Sequence, residues 1–219
     1  NRLGATSTAD FGPFTPEVRF RVVQNTTATE SGGKPWAVNA NSERFKDPPG
    51  PGVSWGILQW TQKSGHLGRV LDACRATNQA EFDRIVGGPA IAQELIRVCK
   101  QGGNPNVTVN GRLLWDPVWV KVLQALGRVK AFGEVQAWFA ANGAHMKAAA
   151  QVCVLLGLES ERGLALAFDR ATQQGEGWIV KAAKELAGRW YAAGFPPYED
   201  RLKALADSAL SRARGSAWE

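Results

Sequence analysis

Ala28-Thr29-Glu30-Ser31-Gly32-Gly33 and, beyond a Pro/Gly-rich stretch, Ser54-Trp55-Gly56-Ile57-Leu58-Gln59-Trp60 are the segments on which the fold of this chain turns. Upstream, Thr15-Pro16-Glu17 has the grammar of a helix start: Thr as N-cap, Pro in the first turn, Glu near the positive end of the dipole. Val18, Val22, Asn25 and Thr29 then recur at helical spacing, flanked by Phe20 and Val23, which predicts an amphipathic helix that Gly32-Gly33 stops. Glu30 falls in its last turn or just past it. A carboxylate there faces the negative end of the helix dipole, which favours its protonated form and is unfavourable by up to about 1 kcal/mol. Such local misplacements concentrate at functional sites, and a general acid needs the raised pKa. The competing reading of the same residues is a solvated helix-end charge followed by a core segment.

Residues 31–53 hold Gly32, Gly33, Pro35, Pro48, Pro49, Gly50, Pro51 and Gly52, which exclude a long helix and leave room for a short irregular hairpin. A loop of this length inside a compact domain is usually functional. It carries two further carboxylates, Glu43 and Asp47, near enough in sequence to fold back across a cleft. Helical spacing is expected to resume from about Leu58, with Leu67, Val70, Leu71 and Cys74 on one face. Gly56 and Gln59 bracket an apolar pair at that start. The glycine lets backbone approach a ligand, and the glutamine amide can bond a sugar hydroxyl or amide.

Residues 1–14 read as an irregular lead-in, and 15–219 as one mostly helical domain with a small irregular or β element. Further helices are expected at 79–86 and 89–100, then from Asp116-Pro117 with Val118, Val122 and Leu126 at helical spacing. Others are expected over Phe132 to Ala141, His145 to Leu156, Ser160 to Gln173, Trp178 to Ala193 and Tyr198 to Arg214. Val107-Thr108-Val109-Asn110-Gly111 predicts a short hairpin on an Asn-Gly turn.

The chain is ordinary in composition for a globular protein, with no apolar run able to span a membrane. Its net charge of +6 fits nucleic acid, an anionic membrane surface or an anionic polymer such as a bacterial wall. Lys and Arg are spread over several helices without a basic tract or nucleic-acid motif, which argues against the first in favour of solvated faces. Cys74, Cys99 and Cys153 are too widely spaced for a disulfide framework or a zinc site, and read as buried small hydrophobes. His66 and His145 lack convergent ligand spacing, so no metal site is expected. Of nine tryptophans, Trp36, Trp55 and Trp60 surround the proposed cleft, where flat rings can stack on sugars, whereas Trp119, Trp138 and Trp190 sit in helical patterns and read as core. Lys34 and Lys46 stand beside the loop and read either as solvated loop charges, the commoner case, or as contacts for peptide carboxylates.

Glu30-Ser31 followed by Ser54-Trp55-Gly56-Ile57-Leu58-Gln59 resembles the Glu-Ser and Gly-Leu-Met-Gln signature of the lysozyme-like superfamily, as in goose-type lysozymes and soluble lytic transglycosylases. The resemblance implies a mainly α lysozyme-like fold with Glu30 as catalytic acid at a helix end and Ser54, Gly56 and Gln59 in the cleft; Ser31 and the stacking candidates Trp36, Trp55 and Trp60 complete the expected substrate-binding set. The order of helix, Pro/Gly-rich loop and Gln-bearing helix also resembles the chitosanase branch, whose second carboxylate lies in the loop. Asp47 occupies that interval, with Glu43 as the alternative. Ala167-Phe168-Asp169-Arg170-Ala171-Thr172-Gln173-Gln174-Gly175 is similar to an Asp-bearing helix of that branch, where Asp169 would support the site without reacting. Phe139-Ala140-Ala141-Asn142-Gly143-Ala144 echoes the Ala-Tyr-Asn-Ala-Gly motif of transglycosylases without its tyrosine.

The resemblance further implies a cofactor-free muramidase acting on peptidoglycan strands. Its alternatives are a lytic transglycosylase, a chitosanase, an inactive wall-binding module or a basic helical domain binding nucleic acid. The expected setting is the bacterial periplasm or wall, reached as part of a larger delivered protein such as a phage lysin or secreted effector. A monomer, with an inhibitor or immunity protein as further partner, completes the expectation.

Overall fold

The computed structural model describes residues 8–40, 50 and 52–215. Among the described residues helix dominates, with two small antiparallel sheets, so the mainly α class with a small β element holds. Contacts gather into two compact units: one runs to Thr26 and resumes at Ala140, and the other spans Thr27–Phe139.

Helix α1 (Pro16–Glu30) opens as its sequence predicts: the Val18 amide donates to Thr15 Oγ1 at 3.4 Å. Glu17 at the dipole's positive end has its carboxyl held below the usual range, by a backbone hydrogen bond first and the Thr15 hydroxyl second. The buried face, however, is Arg19, Val22, Val23, Thr26 and Thr27, and Asn25 and Thr29 are exposed. The expected face is rotated because three of the five positions of the true i, i+3, i+4, i+7, i+8 stripe, Arg19, Thr26 and Thr27, are polar. Arg19 is 4% exposed. Its guanidinium donates to the Phe14 carbonyl at 2.9 Å, the Ala141 carbonyl at 3.0 Å and Asn142 Oδ1 at 2.9 Å, and stacks 3.9 Å over the Phe11 ring.

The first unit is completed by a 3-10 turn (Thr8–Phe11) and helices α7 (Ala144–Leu156), α8 (Glu161–Gln174), α9 (Glu176–Ala193) and α10 (Tyr198–Gly215). Helix α7 buries Met146, Ala148, Ala149, Ala150, Val152, Cys153 and Leu156 and packs against both α8 and α9, leaving one exposed stripe of Ala144, Lys147, Gln151 and Val154. Its alanines let neighbouring helices approach closely, as a central helix requires. Ser160 caps α8 by accepting from the Gly163 amide at 3.1 Å.

In the second unit, strands β1 (Val38–Ala40), β2 (Val53–Trp55) and β3 (Trp60–Thr61) form one antiparallel sheet in that order. Trp55 pairs with Val38 on one side and Trp60 on the other. Helices α2 (His66–Thr77), α3 (Gln79–Val86), α4 (Pro89–Gln101), α5 (Pro117–Arg128) and α6 (Lys130–Asn142) follow, the last running on into the first unit. Leu67, Val70, Leu71 and Cys74 are all buried on α2, as their spacing predicts. The hairpin of β4 (Thr108–Val109) and β5 (Arg112–Leu113) turns on Asn110 (φ 50°) and Gly111 (φ 70°), the left-handed pair an Asn-Gly turn demands. On α5 the inward residues are Trp119, Leu123, Leu126 and Gly127, and Val118 is 48% exposed. Trp119 is core; Trp138 and Trp190 are only partly buried.

Cys74, Cys99 and Cys153 are free and buried. Loss of hydration on burial drives all three thiols upward, Cys153 to about 12.

Candidate functional site

Helix α1 ends at Glu30, and the backbone after it is tightly organised. The Ser31 and Gly33 amides both donate to the Thr27 carbonyl, at 3.1 and 2.9 Å. Gly32 and Gly33 are left-handed. The Ser31 hydroxyl reaches outward from this end and donates to the Ile57 carbonyl at 2.9 Å.

Residues Gly56–Gln59 are not the start of a helix. They form the turn between β2 and β3, closed by the Gln59 amide donating to the Gly56 carbonyl at 3.1 Å, and the next helix waits until His66. Gln59 itself is left-handed (φ 50°), which breaks the helical spacing that begins at Leu58 in the sequence. Its side chain knits the turn together. Nε2 donates to the carbonyls of Gly56 (2.9 Å) and Ala37 (3.3 Å), and Oε1 accepts from Ser54 Oγ at 2.9 Å. Among the described residues these bonds engage both N–H groups and one acceptor lone pair of half-buried Gln59, leaving one acceptor position.

Three expected substrate contacts are corrected by burial. Trp55 is 0% exposed and Trp60 4% exposed, its ring edge-on to Phe139 at 6.1 Å between centroids. Both rings serve the core of their unit and offer no open face to a sugar. Ser54 is buried, and its hydroxyl is taken by Gln59. Gly56 is a glycine for a different reason than expected. A Cβ there would lie 2.5 Å from Gln136 Oε1 and 2.9 Å from the Trp60 ring, so protein atoms, not a ligand, demand its bareness.

Trp36, by contrast, is exposed, and Lys34 beside it is exposed too. Glu43, Lys46 and Asp47 lie outside the described residues, and Glu30 is described by its backbone alone. Asp169, on α8, stands 3.4 Å from Arg170, and Asn142 of the transglycosylase-like echo accepts from Arg19 within the first unit. His145 Nδ1 lies 3.3 Å from a Glu176 carboxylate oxygen.

Sequence reasoning missed Gln136. It lies on α6 and is wholly buried; Oε1 accepts from the Ile57 amide at 3.0 Å and Nε2 donates to the Pro35 carbonyl at 3.1 Å. The available signal was a glutamine at core spacing, one residue after Val135 and four after Phe132, both buried. Gly127 and Gly133 were missed likewise: Cβ atoms there would lie 2.4 Å from the Pro35 carbonyl oxygen and 3.2 Å from the Pro35 ring.

No family model, characterised protein or solved structure matches this chain.

Proposed function

We propose that the chain is a glycoside hydrolase cleaving the β-1,4 bonds between N-acetylated amino sugars of peptidoglycan, with Glu30 as general acid. The observation that carries this reading is the 2.9 Å bond from the Ser31 hydroxyl to the Ile57 carbonyl. It ties the residue after Glu30 to the Gly56–Gln59 turn, so the two sequence segments bearing the lysozyme-like resemblance belong to one local structure. The placement of Glu30 at the negative end of α1 agrees with the need for a carboxyl protonated near neutral pH.

In this mechanism Glu30 donates its proton to the glycosidic oxygen as oxocarbenium character develops on the sugar. Asp47, or Glu43 in its place, activates the attacking water or stabilises the positive charge. Exposed Trp36 offers a ring face to a pyranose, and the acceptor position that the described residues leave open on Gln59 takes a hydroxyl or amide N–H. A net charge of +6 favours the anionic wall over cationic chitosan, which it would repel. The enzyme then works in the bacterial periplasm or wall. No described helix is long and apolar enough to cross a membrane.

Purified sacculi test this. The wild-type chain lowers their turbidity and Glu30→Gln does not; equal clearing by both removes Glu30 from the role. Mass spectrometry of the released muropeptides then reads the outcome of the second step. Reducing ends mark hydrolysis, and anhydro ends mark attack by the substrate's own hydroxyl, the transglycosylase outcome.

A further inference from the structure

We infer that Gln136 is a positioning residue of this site, holding the Pro35–Trp36 strap and the Gly56–Gln59 turn in one fixed geometry. The inference rests on the glycosidase reading above.

Gln136 occupies a position where a leucine would satisfy the core. An amide taken from water into such a place is costly unless bonded, and Gln136 meets the condition with one bond to each of two segments far apart in sequence. The bond at Ile57 is the more telling. The amide of that residue is held by Gln136 and its carbonyl by Ser31, so both polar backbone groups of Ile57 are fixed by side chains, one from α6 and one from the end of α1. The turn therefore cannot shift without breaking a bond at one side or the other.

Gly56 and Gln136 form a matched pair. Oε1 of Gln136 lies 2.5 Å from where a Cβ of residue 56 would be, so a side chain there would displace the amide from Ile57. On the strap the fit is equally close. Gly127 lies against the backbone of Pro35 and Trp36, Gly133 against the Pro35 ring, and the Pro35 carbonyl takes the Gln136 N–H. Trp36 is thus a ring 39% exposed on a backbone fixed from three directions. A binding group fixed in advance loses little freedom when ligand arrives, which is the physical meaning of preorganisation.

The test is steady-state kinetics on soluble uncrosslinked glycan strands, with thermal unfolding measured alongside, for wild type, Glu30→Gln, Gln136→Met and Gln136→Glu. Gln136→Met keeps the volume and loses both bonds; it is expected to be folded at assay temperature with kcat/KM reduced at least tenfold. Gln136→Glu keeps an acceptor for Ile57 but, when ionised, has no donor for Pro35. Its carboxyl regains that donor on protonation, so the ratio of variant to wild-type kcat/KM is expected to rise as pH falls, which a role in bulk stability alone would not produce. A folded Gln136→Met with kcat/KM within twofold of wild type overturns the inference. If neither variant is folded at assay temperature, Gln136 is a folding determinant and the positioning role is equally overturned. Failure of the glycosidase reading looks different: folded wild type and Glu30→Gln are then alike in releasing no product, and the inference falls with the site it serves.

Discussion

The Ser31 hydroxyl and the Ile57 carbonyl meet at 2.9 Å, joining the end of a helix to the turn of a hairpin across a gap of 26 residues in sequence. Ser31→Ala removes this bond and leaves a carbonyl without its partner. A cost of about 1 kcal/mol, or roughly 2–4 °C in Tm for a chain of this size, is expected. Activity on sacculi should fall further than that loss of stability explains, about tenfold, because the turn moves relative to the end of α1. Calorimetry and turbidity on the same preparation separate the two effects.

Glu30→Gln carries a second expected outcome besides loss of activity. At alkaline pH, where the Glu30 carboxyl is ionised, the substitution removes a negative charge from the C-terminal end of a helix and is stabilising, by up to about 1 kcal/mol. Activity should drop by roughly a hundredfold or more, the usual share of a general acid. A variant inactive in the wall assay and slightly more heat-resistant than wild type at alkaline pH, read by differential scanning calorimetry, is the expected signature.

Arg19 supports the first unit through three acceptors and a ring. Arg19→Met leaves the Phe14 and Ala141 carbonyls and Asn142 Oδ1 without their donor, at an expected cost of about 3 kcal/mol. Arg19→Lys should recover little, since one ammonium cannot reproduce the fork of three directed N–H groups. Urea unfolding midpoints of the two variants should lie close together and well below wild type.

Acid stability should depend on Asp83. Its carboxylate takes a two-pronged bond from Arg75 at 2.7 and 3.0 Å, and that guanidinium holds the carboxyl below the usual carboxylate value. A depressed folded-state pKa contributes stability above the unfolded value of about 3.9, and the contribution is lost as pH falls through the lower folded one. Asp83→Asn should therefore destabilise by about 2 kcal/mol at neutral pH. The gap to wild type should close as the pH drops below about 4, in unfolding measured across that range.

Thiol reagents supply a test of packing. With all three cysteines buried and their pKa values raised, the native chain should show essentially no reactive thiol at pH 8, and the denatured chain all three. A thiol that reacts before unfolding would locate a region that opens.

Much of this architecture is legible because local chemistry and tertiary structure agree. Thr15-Pro16-Glu17 starts a helix, Asn110-Gly111 turns a hairpin and Leu67 to Cys74 face inward, each for reasons contained within a few residues. Legibility fails where a distant partner decides. The buried face of α1 is hidden in the sequence because Arg19, Thr26 and Thr27 are polar, and Arg19 is satisfied by groups more than a hundred residues away. The helical spacing from Leu58 is defeated by one left-handed residue, Gln59, whose conformation is held by its own side chain bonding the neighbouring strands. Tryptophan content points to stacking surfaces but cannot tell a ring paired inside a sheet, as Trp55 and Trp60 are, from one presented outward like Trp36. Of the proposed chemistry, the helix-end position of Glu30 is local and therefore readable; the partner carboxylate is a matter of how a loop folds back, which spacing alone does not specify.

The passage of the chain between its two compact units has a practical consequence for anyone seeking to dissect it. Both crossings, at Thr26–Thr27 and Phe139–Ala140, fall inside continuous helices, α1 and α6. Cutting the gene at either boundary would leave a severed helix with its ladder of N–H and C=O groups open to water. Proteases that trim exposed loops should for the same reason fail to liberate either half intact. The smallest piece worth expressing is therefore set by the ends of α1 and α6, and any truncation series should step around those two helices.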